Sequence, residues 1–169
     1  MTLLQPSVGL PDFWAGSGFE DKLLQAQGDF SLNAGQHSVT YLPSSDTATT
    51  GRYQVLLYDN NFGAAESYPK FDWGKLGAAV VTDYSKGTHS FGRIFTVDEI
   101  ARTYELVDQI AVPFSGYVSS SQRVGNSNSM LVASGQAKTF TEYDRYGLPI
   151  ATYEMEAEKY IYRVYKYEL

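Results

Sequence analysis

The sequence predicts a mainly β protein, a single-domain β-barrel or β-sandwich of about seven or eight largely antiparallel strands, with one α-helix packed near 97–111. Three observations lead there. The chain has 169 residues and is 43% hydrophobic, enough for one core and short for two. From about residue 36 onward, apolar and polar side chains alternate with a period of two in segment after segment. Aromatics make up 15% of the chain, with 14 tyrosines, and Tyr suits pleated, half-buried surfaces.

Residues 1–35 read as a mostly irregular N-terminal arm, and 36–169 as the β-rich domain. In GLPDFWAGSGFEDKLLQAQGDF, Pro11, Gly16 and Gly18 punctuate the backbone. Phe13, Trp14 and Phe19 are large apolar anchors in this arm, and FEDKLLQAQ has the pattern of two helical turns. HSVTYL (37–42) is the first strand, ended by Pro43, and SSDTATTG is a polar loop. RYQVLLYD (52–59) is a stronger strand, closed by the turn-prone DNNFG. GAAVVTDY and THSFGRIFT flank SKG as a hairpin turning at Gly87.

The helix is expected in TVDEIARTYELVDQI. Thr96 and Glu99 have the spacing of a capping box, and Asp98 and Glu99 suit the positive end of the helix dipole. Ile100, Tyr104, Val107 and Ile110 form an apolar stripe at helical spacing, and Pro113 marks the end. Strands resume at FSGYVSS (114–120), with QRVGNSN as a polar loop. SMLVAS (129–134) and QAKTFTEYDRY (136–146) follow, and YGLP turns the chain into the final element.

That element, ATYEMEAEKYIYRVYKY, reads as extended because four tyrosines and two β-branched residues crowd 160–167. Neither face is cleanly apolar. A bulge near Glu158 or Lys159 sends Met155 and Ala157 inward with Tyr160, Tyr162 and Val164. Ile161, Arg163 and Tyr165 then face outward, where such residues form partner contacts.

Composition excludes several functions. With 19 acidic against 13 basic residues the formal charge is −6, and the cations form no cluster, so no nucleic-acid partner is expected. The apolar runs fall far short of the ~20 residues that cross a bilayer, so no membrane insertion is expected. Without cysteine there is no disulfide, thiol catalysis or sulfur-ligated zinc. No secretory leader is apparent in MTLLQPSVGLPDFW. These features predict a cytoplasmic protein, or one carried in a virion after intracellular assembly.

Catalytic and cofactor motifs are sparse. His37 and His89 each open a strand, and neither has a metal-binding spacing nearby. The serines lack the G-x-S-x-G turn, and AGSGFEDK lacks the rest of a phosphate-binding fingerprint. No catalytic residue, metal site or cofactor is therefore assigned. Paired carboxylates, Glu142 with Asp144 or Glu154 with Glu156 and Glu158, offer the best enzymatic alternative, a glycoside-processing acid and base. A second alternative is a β-barrel that binds a small ligand or glycan, lined by Tyr68, Trp73, Tyr160 and Tyr162.

The balance favours a non-enzymatic structural protein that works through subunit interfaces, in the manner of a phage or virus capsid, tail or connector subunit. Its partners would be other protein subunits, in a homo- or hetero-oligomer. Phe13, Trp14 and Phe19 of the arm, with Ile161, Arg163 and Tyr165 of the tail, would make the contacts.

Overall fold

The computed structural model describes residues 3–4, 16–31, 33–42, 51–62, 72, 88–125 and 128–167. Among the described residues ten strands lie in two sheets: β1 (Leu3–Leu4), β2 (Leu23–Gln27), β3 (Gln36–Leu42), β4 (Arg52–Asp59), β5 (His89–Asp98), β6 (Thr103–Pro113), β7 (Ser120–Val124), β8 (Ser129–Ser134), β9 (Thr139–Tyr143) and β10 (Pro149–Glu154). The first sheet has the order β1-β2-β6-β5-β4-β3 and the second β10-β9-β8-β7. Within each, β3 to β6 and β7 to β10 run as antiparallel meanders. β2 joins the outer edge of β6 in parallel, and β1 joins β2 in parallel. The fold is mainly β and sandwich-like, and among the described residues the sheets do not close into a barrel.

The expected helix is absent. Residues 97–111 are the end of β5, a turn at 99–102, and most of β6. Asp98, expected in a first helical turn, instead caps the turn, its Oδ1 accepting from the backbone N–H groups of Ile100 (3.0 Å) and Ala101 (2.8 Å). Arg102 closes the turn with φ 57°, which no helix tolerates. Ile100 is 77% exposed, so the supposed stripe faces water at its first member. Burial in β6 follows a period of two instead, with Tyr104, Ile110 and Val112 buried and Glu105, Val107, Gln109 and Ala111 exposed.

A bulge lets β6 serve two cores. Ile94 stands opposite Asp108 while Phe95 stands opposite Leu106, so Val107 is the extra residue. The insertion reverses the facing of the strand. Ile110 and Val112 join Leu56, Tyr58 and Ile94 against Met130, Val132 and Tyr143 of the second sheet. Tyr104 and Leu106 join Leu24, Leu57, Phe95 and Val97 on the opposite face, covered by Phe30. Phe30, Phe95 and Tyr104 meet at tilted and edge-on angles with ring centres 5.7–5.9 Å apart, the preferred aromatic geometry.

Several boundaries differ from expectation. FEDKLLQAQ contains only a short 3-10 turn at Glu20–Lys22 before β2 begins. Residues 114–119, expected as a strand, are irregular; β7 starts at Ser120, the last residue of that stretch, and runs on through Gln122–Val124, expected to be loop. The hairpin expected around Gly87 has its first arm outside the described residues, and its second arm is the start of β5. Ordered pairing of the last element ends at Glu154. Beyond it the chain runs over the second sheet without joining a ladder. Its facing departs from the bulged reading at Ile161, which is buried, and at Tyr160 and Tyr162, which are 45% and 58% exposed, while Arg163 and Tyr165 are exposed as that reading has them.

Candidate functional site

At one end of the cleft between the sheets, the apolar core gives way to a buried polar cluster. The strand RYQVLLYD ends in Asp59, and Asp59, Asn60 and Asn61 are all buried. Alternation along β4 sends Asp59 to the face of Leu57, and Asn60 to the face of Tyr58, between the sheets.

On the Asp59 side the groups are fully committed to one another. Asp59 Oδ1 accepts from the backbone N–H of Ala34 (2.9 Å) and of Asn61 (3.0 Å). Arg93 Nη1 lies 2.9 Å from Asp59 Oδ2, and both side chains are 1% exposed. The same Nη1 donates to Ser31 O and Asn33 Oδ1, so Oδ2 is held by the cation's charge more than by a directed bond. Arg93 Nε donates to Gln109 and Nη2 to Ser31. Burial pushes the Asp59 carboxyl up and the Arg93 guanidinium down, and each one's charge opposes the other's shift. This pair is structural: four of the five guanidinium N–H groups are bonded within the protein, and the pair is buried away from solvent.

The Asn60 side is different. Asn60 Nδ2 donates to two backbone carbonyls, Ser115 O (2.6 Å) and Val118 O (3.1 Å). With both amide hydrogens taken, the orientation of the amide is fixed, and Oδ1 points at His37 Nδ1, 2.5 Å away. Gly35 O is also within 3.4 Å of that nitrogen. Two oxygens that can only accept therefore place the proton on Nδ1 in the neutral ring. Nε2 of His37 is left as a lone pair. The ring is half-buried, at the start of β3 and opposite Tyr58 in the ladder.

Serines hold the rest of the cluster. Ser90 Oγ donates to Asn60 O (3.0 Å), and Tyr58 Oη pairs with Ser134 Oγ (3.0 Å). Burial raises the Tyr58 phenol above its ordinary value, so it stays a neutral hydrogen-bonding group. Ser38 Oγ donates to Ser121 O (3.4 Å), tying β3 to β7 beside His37. Two residues further along the same face of β7, Arg123 has a buried Nε with no partner among the described residues. His89 opens β5 at the same end of the sheet, but its backbone carbonyl, not its ring, meets Asn61 Nδ2.

The other residues singled out in the sequence fall elsewhere. Phe13, Trp14, Tyr68 and Trp73 lie outside the described residues. Phe19 is half-buried near the 3-10 turn. Ile161 packs onto its own sheet, while Arg163 lies 5.0 Å over the ring of Tyr162 and Tyr165 is exposed. Tyr160 and Tyr162 face outward and line no interior. Of the carboxylates, Glu142 pairs with Lys166 (2.7 Å), and Asp144 Oδ1 accepts from Tyr146 N and Leu148 N within the β9–β10 turn. Asn60 was missed because DNNFG reads as a turn. The signal available was three consecutive polar residues directly after the apolar run Val55–Tyr58.

The family model described as arylsulfotransferase (ASST) matches residues 6–165. No curated protein matches the chain. The family's name is that of an enzyme, which corrects the expectation of a non-enzymatic capsid, tail or connector subunit. Since the match runs over nearly the whole sequence, the chain belongs to the arylsulfotransferase family.

Proposed function

We propose that this protein moves a sulfuryl group between aromatic hydroxyl oxygens, with Nε2 of His37 carrying the group in transit. Family membership supports the reaction class. The assignment to His37 rests on one observation, the contact of its Nδ1 with an Asn60 amide that cannot turn. Histidine is an established covalent nucleophile once its proton is held on the other nitrogen. Donor and acceptor in such a transfer are both aryl oxygens. One aryl site can receive each in turn if the group is parked on the protein between them.

In the first half, Nε2 attacks the sulfur of an aryl sulfate. The N–S bond forms as the bond from sulfur to the aryl oxygen breaks, and the departing phenolate takes a proton from water. The ring gains positive charge, which strengthens the Nδ1–H donation to Asn60. In the second half an acceptor phenol attacks sulfur and loses its proton to water. The N–S bond breaks and the neutral ring returns. Arg123 is the cation we assign to the sulfonate oxygens, since its Nε has no protein partner among the described residues.

The test is intact-mass measurement after mixing the protein with 4-nitrophenyl sulfate alone. A gain of one SO3 unit, lost on adding phenol and absent in His37→Gln, is the expected result. Release of nitrophenolate without a modified protein would remove His37 from this role.

A further inference from the structure

The tail after β10 lies close to the groups that fix His37. Ile161 N donates to Gly135 O (3.0 Å), and Ser119 N donates to Tyr162 O (3.0 Å). Ser120 Oγ accepts from Val164 N (3.1 Å) and donates to Val164 O (3.2 Å). Gln122 repeats the pattern, with Oε1 accepting from Lys166 N and Nε2 donating to Lys166 O, both at 2.8 Å. Side chains of β7 thus grip the tail backbone at every second residue.

What the tail holds is strained. Val118 and Ser119 sit at φ 56° and 90°, left-handed values that a β-branched residue rarely adopts. Such a conformation persists only where its surroundings over-determine it, and it is typical of functional sites. Here the surroundings are Tyr162 O on Ser119 N, Gly135 N donating to Ser119 Oγ (2.9 Å), and Ser119 Oγ donating to Ser115 Oγ (2.9 Å). The carbonyls presented by this loop, Ser115 O and Val118 O, are the two that receive Asn60 Nδ2.

We propose that the tail around Tyr162 is a positioning element for His37: by pinning Ser119 it keeps the strained loop aimed at Asn60, which keeps the ring proton on Nδ1. The role in catalysis rests on the sulfuryl-transfer reading, but the effect on the tautomer does not. Ser119 and Tyr162 act through Asn60 and touch no substrate. Their influence is on which ring nitrogen is free, so loosening the tail lowers kcat more than it raises KM.

Gly135 offers a selective way to displace the tail. A Cβ there would lie 2.2 Å from Ile161 O and 2.5 Å from Val118 Cγ2, so Gly135→Ala must shift both. The experiment records ring 15N spectra of the full chain without substrate, with His37→Gln identifying the His37 signals. The parent should show one tautomer, protonated at Nδ1. In Gly135→Ala the Nε2–H form, which free imidazole side chains prefer, should appear. Gln122→Ala, on the more exposed part of the grip, serves as the second variant should Gly135→Ala not fold, and should move the spectrum the same way. Faster proteolysis of the tail with an unchanged His37 tautomer would overturn the proposal. A shifted tautomer in a protein that never acquires SO3 would uphold it and reject the transfer reading instead.

Discussion

Arg93 and Asp59 form an ion pair at 2.9 Å in which each side chain is 1% exposed, and Nε, Nη1 and Nη2 of Arg93 all donate to Ser31, Asn33 or Gln109. A charge this deep is tolerable only while its partner remains. Asp59→Asn should therefore destabilise the fold by about 3–5 kcal/mol, read from urea unfolding. Adding Arg93→Met should recover part of that loss, since no orphan charge is left. A double variant weaker than the single would refute this account.

Asp98 is the residue that makes 99–102 a turn. Asp98→Ala leaves the N–H groups of Ile100 and Ala101 without their side-chain acceptor. The turn is exposed, so water substitutes in part, and the expected cost is about 1 kcal/mol. Asp98→Asn should retain most of the stability because an amide oxygen can accept the same bonds. Equal losses from both changes would point to charge as the cause.

Burial pushes the Tyr104 phenol up to about 12, and burial also raises Tyr58 and Tyr143. The folded protein then keeps protons that the unfolded chain gives up near pH 10. The stability Tyr104 contributes is complete below about pH 10 and falls as pH climbs toward about 12, and Tyr58 and Tyr143 act in the same direction. Tyr104→Phe, which keeps the ring among Phe30 and Phe95, should shift the alkaline unfolding midpoint upward in circular dichroism. An unmoved midpoint would assign the transition to the other phenols.

His37 and His89 lie at the same end of the first sheet, on the two strands that flank β4, yet should differ sharply. His37→Gln should lower aryl sulfate turnover by about 10²–10⁴-fold or more. His89→Gln should stay within about threefold of the parent, since the Asn61 contact is to the His89 backbone. Steady-state rates for both variants, with folding checked by circular dichroism, decide the matter. Similar losses in both would mean that the pair acts jointly.

Arg123→Ala should weaken transfer by removing the cation assigned to the sulfonate, and Arg123→Lys should restore little because the planar fork is lost. Turnover measured against salt concentration adds a second reading. The parent should lose activity as salt screens the anion contact, and the Ala variant should respond less. Identical salt curves would exclude Arg123 from the site.

Period-two alternation made most strands legible, β4 to the residue and β8 as well. It failed at 97–111 because those residues carry two periods at once. Ile100, Tyr104, Val107 and Ile110 fit a helix, while Tyr104, Leu106, Ile110 and Val112 fit a strand. The bulge at Val107 disguised the second pattern by switching it between two cores. Thr96 and Glu99 imitated a capping box inside a sheet, where Thr96 pairs with Gln54 and Glu105. The tail's facing at 160–162 was not legible, because Ile161 is the one buried side chain among residues 155–167 and β7 grips the tail by its backbone. His37 was seen without its meaning. Its partner Asn60 is 23 positions away, and only the β3–β4 register brings them together.

Because β2 pairs in parallel with β6, Gln25 meets Thr103 across a long intervening stretch of chain. The β3–β6 meander pairs strands consecutive in the chain, whereas β2, whose other neighbour is the two-residue β1, cannot join the meander until Thr103–Glu105 is in place. On the ribosome the segment around Leu24 thus waits, its apolar side chains unshielded, while most of the first sheet is made. The slowest step of maturation should be this late docking, and a chaperone that holds residues 23–30 would delay it without touching either meander.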